Sequence, residues 1–345
     1  MKNNIYRLPP EWEKHEATWL VWPQNSNDWP GKFSPIKWVY AEIVKNICES
    51  ELVRIVVDSE KVENMVKSIL GRADICLDNV EFIIAATDRS WIRDSGPFFV
   101  FDEYQNVKML DFGFNAWAKY SNWHEDNKVP SKIARFLNLP SASKQDVILE
   151  GGGIDVNGKG TLITTKQCLL NENKQVRNPG FKKKDYEELF KKYFEITNVL
   201  WLGEGIYGDD TNGHVDDLCR FVNPKTVVIC EEKNQSDDNY YPLNENIERL
   251  EDMKLQDGSR VEVITIPMPM PRYFDSCRLP ASYANFYIAN EIVLVPTFND
   301  ANDYKALGIL SELFSEKRVV GINCTDLIWG LGGIHCLTKE QPVLL

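Results

Sequence analysis

The chain has 345 residues, of which 43% are hydrophobic and 26% charged, and a net charge of −12. That length supports a sizeable core in one large domain or two smaller ones. The acidic balance argues against nucleic acid or an anionic membrane as the main partner, since both demand a basic footprint, and no apolar run approaches the roughly 20 residues of a membrane span.

The opening residues MKNNIYRLPP contain no apolar leader, so a cytoplasmic location is expected. Eight cysteines are scattered without a CxxC pair, which disfavours a zinc ribbon or a disulfide framework. In chain order, a helical pattern over 36–48 is followed by a strand-like run at 52–57, a helix at 61–70 and a strand at 80–85. Runs at 98–101 and 108–112 flank a turn at 102–106 and read as a hairpin. A helix at 132–137, a strand at 161–164, a helix at 184–193 and a strand at 226–230 come next. The polar stretch 231–240 reads as a surface loop rather than a domain boundary. A strand at 261–266, a second hairpin (285–288 and 292–296, turning at Asn290-Glu291) and a helix at 304–313 complete the pattern. Interleaved strands and helices give an α/β class and one domain over 1–345. The hairpin-plus-helix unit recurs about every 60 to 70 residues, so roughly five similar units are expected.

Four Gly-rich polar islands lie where strands end: 87–97 (TDRSWIRDSGP), 149–155 (LEGGGID), 208–216 (GDDTNGHVD) and 329–338 (WGLGGIHCLT). Singly, each has a plain structural reading: a tight glycine loop, a salt-bridged turn, or a buried structural thiol. Together they offer one thiol, one histidine and three carboxylates on separate strand ends, the makings of a convergent site. Ligand spacing for zinc is absent, and so is the Gly-x-Ser-x-Gly of serine hydrolases.

The ordered motifs Trp91-x-Arg93-Asp94-x-Gly96-Pro97, Glu150-Gly151-Gly152, Asn212-Gly213-His214-Val215-Asp216 and Gly332-Gly333-Ile334-His335-Cys336 resemble the agmatine deiminase family. This family is related to the bacterial peptidylarginine deiminases within the guanidino-group-modifying superfamily. The resemblance spans nearly the whole chain, from Pro10-Glu11-Trp12-Glu13 and Thr18 to Pro23 onward. It implies a five-bladed, pseudo-symmetric α/β propeller with the active site in a central channel. It makes Cys336 the nucleophile and His214 the general acid and base. Asp94 and Asp216 would grip the guanidinium, Glu150 would orient substrate and proton transfer, and Trp91 would line the pocket. Gly333 would present its backbone to the site, and Asp210 would help set the far end. Many members carry Asp-Glu-Thr-Asn-Gly-His where this chain has Asp209-Asp210-Thr211, which bears on the choice of amine.

Two carboxylates suit a planar cation, because each accepts paired N–H bonds. The nucleophile must be a thiolate, and an ordinary cysteine near pKa 8.5 is only a few per cent ionised at neutral pH. The three carboxylates oppose ionisation, so the thiolate is expected to form mainly once a cationic substrate is bound. No metal or organic cofactor is expected. His335 is expected on the opposite side of a strand from Cys336, Asp88 and Arg93 are expected to pair and shape their turn, and Cys219 should be a buried filler. The small-molecule substrate is agmatine on this reading, with arginine or a peptidyl arginine as the alternative. A non-catalytic propeller that binds a partner, and a cysteine amidase of unrelated fold, are the readings from other classes. A homo-oligomer is expected from the resemblance.

Overall fold

The computed structural model describes residues 6–139 and 143–343; the opening stretch expected to carry no leader falls partly on residues 1–5, outside that description. The architecture is mixed α/β, and among the described residues the sheets stay separate rather than closing into a barrel. Four sheets share one plan: an antiparallel hairpin, then a helix, then a third strand parallel to the second. They are Phe98–Phe101, Val107–Gly113 and Ser143–Ile148; Ile154–Val156, Thr161–Thr165 and Asn198–Leu202; Cys219–Phe221, Thr226–Glu231 and Glu262–Pro267; and Tyr287–Ile288, Ile292–Thr297 and Arg318–Asn323. In the fifth sheet the chain's last strand, Thr338–Pro342, pairs antiparallel with the first, His15–Val21, and Leu52–Val57 and Val80–Ile84 follow in parallel.

The middle strands are buried on both faces and therefore read as unbroken apolar runs, as in TVVICE at Thr226–Glu231. Helices close each unit with one apolar stripe. In Lys183–Phe194 the residues Tyr186, Leu189, Phe190 and Phe194 are buried at helical spacing, and Phe194 packs on Phe98 and Phe112 at 5.3 and 5.7 Å between ring centroids. The left-handed Glu195 (φ 59°) then ends the helix.

Both expected hairpins form, with Asp102 accepting the amides of Tyr104 and Asn106 in the first turn. The stretch 231–240 is the exposed connection into helix Tyr240–Asp252. That helix was not expected, nor were the strands His15–Val21, Ser143–Ile148, Asn198–Leu202, Arg318–Asn323 and Thr338–Pro342. A small extra hairpin, Arg272–Phe274 with Cys277–Leu279, stands apart from the five sheets.

Candidate active site

In each of the five larger sheets the strand at the antiparallel edge, the first of its unit, is preceded by a tight turn carrying a polar or nucleophilic residue. Asp94 precedes the strand starting at 98, Glu150 that at 154, Asp216 that at 219, Asn285 that at 287 and Cys336 that at 338. The structure brings Asp94, Glu150, His214, Asp216 and Cys336 together, and all are buried.

Gly152 makes the convergence possible. Its amide donates to Asp94 Oδ1 at 2.9 Å. A Cβ there would lie 2.6 Å from His214 Nδ1, 2.9 Å from Asp216 Oδ2 and 3.0 Å from Asp94 Oδ1, so any side chain would collide with three functional groups. Asp94 Oδ2 accepts the indole N–H of Trp117 at 2.9 Å. Around His214, Nδ1 lies 3.8 Å from Asp94 Oδ2 and 3.9 Å from Asp216 Oδ1, while Nε2 lies 3.8 Å from Glu150 Oε2. None of these reaches hydrogen-bond distance, and both ring nitrogens are buried without a partner. The loop is instead held by Asp209, whose Oδ2 accepts the amides of Gly213 and His214 at 2.5 and 3.0 Å.

Cys336 sits in a one-turn helix, Ile334–Leu337. Its Sγ is 3.1 Å from Asn285 Nδ2 and 3.8 Å from Asp216 Oδ2. The same Asn285 amide donates to Asp217 Oδ1 at 2.9 Å. Gly332 packs against Trp91, where a Cβ would come 2.5 Å from the indole, and a Cβ on Gly333 would come 2.5 Å from Asn285 Oδ1. Trp91 packs on Trp29 with the rings tilted by 40° and their centroids 5.5 Å apart.

The segment carrying His335 is helical rather than extended, so the expectation of a strand is corrected. His335 bridges Asp216 Oδ2 and Glu11 Oε2 at 2.7 Å each, and so shares with the Cys336 thiol the same oxygen of Asp216. Glu11 also takes Arg93 and Arg220 at 3.0 Å, forming a buried charge cluster behind the site. The expected Asp88–Arg93 pair is likewise not what holds the turn. Arg93 is drawn inward to Glu11, Glu340 and the carbonyl of His335, whereas Asp88 accepts the amide of Glu125. Cys219 is a buried filler as expected. Asp210 lines the mouth, but Lys119 and the Tyr120 hydroxyl already hold its two oxygens.

The electrostatics divide the carboxylates by role. Burial alone would raise Glu150; Arg177, at 3.1 Å, and His214 overcome it and hold Glu150 down to about 2. Burial would raise Asp216 too, but His335, His214 and Arg220 together hold it below its ordinary value. Asp94 is raised by burial and by its neighbours Asp216 and Glu150. Burial would lower His214, yet Asp94, Cys168 and Glu150 push it well above its ordinary value. Cys336 is pushed well up by burial and by Asp216, Asp217 and Asp94, with the Gly333 amide opposing. Among the described residues, two groups bring ligand atoms within 4.8 Å of one another: Glu150, Cys168 and His214, and Asp216, Asp217 and Cys336. Glu150 is already engaged by Arg177.

A narrow cleft reaches Cys336 past Trp91, Asp94, Trp117 and Gly332. A buried thiol, an unpartnered imidazole and two aspartates converge at its end, with Arg177 paired to Glu150 and His335 to Asp216. A family model described as Porphyromonas-type peptidyl-arginine deiminase matches residues 7–342. The chain belongs to that family. Within it, the agmatine deiminase of Pseudomonas aeruginosa strain LESB58 is 34% identical, covering 98% of this chain and 95% of that protein. A C. jejuni agmatine deiminase variant solved with substrate bound has a TM-score of 0.90 at 31% identity, covering 100% of this chain and 98% of that one. An Enterococcus faecalis agmatine deiminase solved while catalysing its reaction has a TM-score of 0.89 at 29% identity, covering 99% and 96%.

Sequence reading missed Asn285, Glu11, Arg177, Trp117, Asp209 and Asp217. Glu11 and Asp209 lay inside quoted motifs without a role. Asn285 opened a run read as strand, and Arg177 and Trp117 stand in no motif at all.

Proposed function

We propose that this protein hydrolyses the guanidinium group of agmatine to N-carbamoylputrescine and ammonia through a covalent intermediate on Cys336. The observation that carries this reading is the His214 ring, buried without a partner among Asp94, Glu150 and Asp216 and sharing Asp216 with the Cys336 thiol. That is a set of acceptors arranged for a cation. The relatives' names supply the substrate.

In the first half-reaction the guanidinium enters between Asp94 and Asp216, and its charge offsets the carboxylates that oppose ionisation of Cys336. The thiolate adds to the guanidinium carbon. His214, kept protonated by its acidic neighbours, gives its proton to the departing amino group, and ammonia leaves a thiouronium. In the second half neutral His214 takes a proton from water, the oxygen adds to the same carbon, and the sulfur is expelled and takes the remaining hydroxyl proton, restoring the Cys336 thiol and leaving the ureido product. Trp91 and the Gly333 backbone line the approach, and Asp210 marks its outer end. The roles of Cys336, His214, Glu150, Asp94 and Asp216 are part of this proposal, as is a reaction without cofactor.

The five units of common plan support a five-bladed propeller around a central channel, with one catalytic domain over 1–345. A cytoplasmic setting is proposed from the free cysteines among the described residues; no helix of the described residues is long and apolar enough to cross a membrane. A homo-oligomeric state rests on the family resemblance alone.

The test is ammonia and ureido-product release from agmatine, arginine and an arginine peptide, with Cys336→Ala beside each. Agmatine turnover lost in the variant is the expected result; no ammonia from any of the three would overturn the reading. Iodoacetamide inactivation of the free enzyme should still be accelerating above the ordinary thiol range near pH 8.5, and a plateau below pH 7 would remove the substrate-assisted ionisation.

A further inference from the structure

The outer end of the cleft holds a cation that the reaction as derived does not use. Arg89 lines the same cleft as Trp91, Asp94 and Cys336 and is only 9% exposed. Its Nη2 donates to Asp28 Oδ1 at 2.7 Å, but Nε and Nη1 are buried with no hydrogen-bond partner. Its guanidinium is fixed in place by stacking, with the central carbon 4.3 Å from the centroid of the Tyr120 ring and 5.2 Å from that of Trp117. Buried N–H groups left unpaired are costly, and a site that keeps them signals a missing acceptor.

The nearby carboxylates do not supply it: Asp28 meets only Nη2, and its own Oδ2 is buried without a partner. Asp210 is held by Lys119 and Tyr120, so the mouth offers an incoming ammonium no free anion at Asp210. A carboxylate, in contrast, would meet the unsatisfied donors of Arg89. The distance also suits a small molecule: Trp117 touches both ends, donating to Asp94 Oδ2 at 2.9 Å while its ring faces Arg89. A guanidinium at Asp94 and an anion at Arg89 are therefore separated by the span of one indole, which a short alkyl chain bridges.

We propose that Arg89 is a specificity-determining residue, and that the enzyme also deiminates short guanidino acids, in which a few methylenes separate guanidinium from carboxylate. This rests on the deiminase reading above. The bonds made and broken are the same: one C–N bond is exchanged for a C–O bond from water, ammonia leaves, and nothing is oxidised or reduced.

The experiment compares steady-state kinetics on agmatine and 4-guanidinobutanoate for the full chain and for Arg89→Gln and Arg89→Lys. The unmodified protein should turn over both compounds. Losing a charge-assisted contact should lower the kcat/KM ratio of acid to amine by about tenfold or more in Arg89→Gln, mainly through the KM of the acid, with partial recovery in Arg89→Lys. Turnover of agmatine with neither turnover of nor competitive inhibition by the acid would overturn the subsite and leave the deiminase reading standing. An equal loss on both compounds, unrelieved by lysine, would overturn it too by making Arg89 structural. If Arg89→Gln does not fold, competition by the acid in the unmodified protein and the lysine variant decide the question. Ammonia from neither compound overturns both readings, and ammonia from the acid alone supports the subsite while removing agmatine as substrate.

Discussion

Glu150 and Arg177 show how much of a buried site can depend on one partner. Both side chains are fully buried, and among the described residues the pair is the only cation contact that Glu150 makes apart from His214. Arg177 also ties Glu150 to the carbonyls of Gln175 and Thr211. Removing one member of such a pair strands the other charge in a medium that cannot solvate it. Arg177→Met should therefore cost about 3–5 kcal/mol in urea unfolding at pH 7. The pH dependence follows from the sign of the shift. Glu150 is lowered to about 2 from 4.5, so its contribution is complete above the unfolded value and is lost as pH falls through the folded one. The deficit of the variant should thus be largest near neutrality and narrow between about pH 4.5 and 2, and a deficit unchanged with pH would point to lost packing instead.

At the scale of elements, glycine turns carry the geometry. Gly152→Ala leaves the strands alone, but its methyl must occupy space now shared by His214, Asp216 and Asp94. Displacing reacting groups by an ångström can cost on the order of 100-fold, so activity should fall by about that much while the circular dichroism spectrum is kept. Wild-type turnover in this variant would mean that the site forms elsewhere. These turns were legible in the sequence because Gly-rich polar islands interrupt apolar runs. The most apolar strands were legible for the same reason, Leu52–Val57 and Phe98–Phe101 to the residue. What escaped were elements whose side chains answer to distant partners. Thr338–Pro342 reads TKEQP, yet its Glu340 is held by Arg93 and its Gln341 by Trp19 and Arg54. Asn285 was hidden in the same way: nothing beside it in sequence names Cys336 or Asp217 as its neighbours.

For the whole molecule, the pairing of Thr338–Pro342 with His15–Val21 puts the two ends of the described chain in one sheet, with Val343 donating to the carbonyl of Lys14. A circular permutant that joins the original ends by a short flexible linker and opens the exposed connection between Lys233 and Asn234 should fold and keep its activity. Ammonia release from agmatine by the permutant checks this, and an insoluble or inert product would show that chain order matters beyond closure.

The turns before the five first strands hold Asp94, Glu150, Asp216, Asn285 and Cys336, one from each sheet. An arrangement of this kind separates the grammar of the molecule from its vocabulary. The sheets fix where five words stand, and a word without a buried counter-charge can be exchanged more freely than Glu150, which answers to Arg177. A lineage built this way can explore new reactions by single substitutions at five addresses, while its scaffold is inherited unchanged.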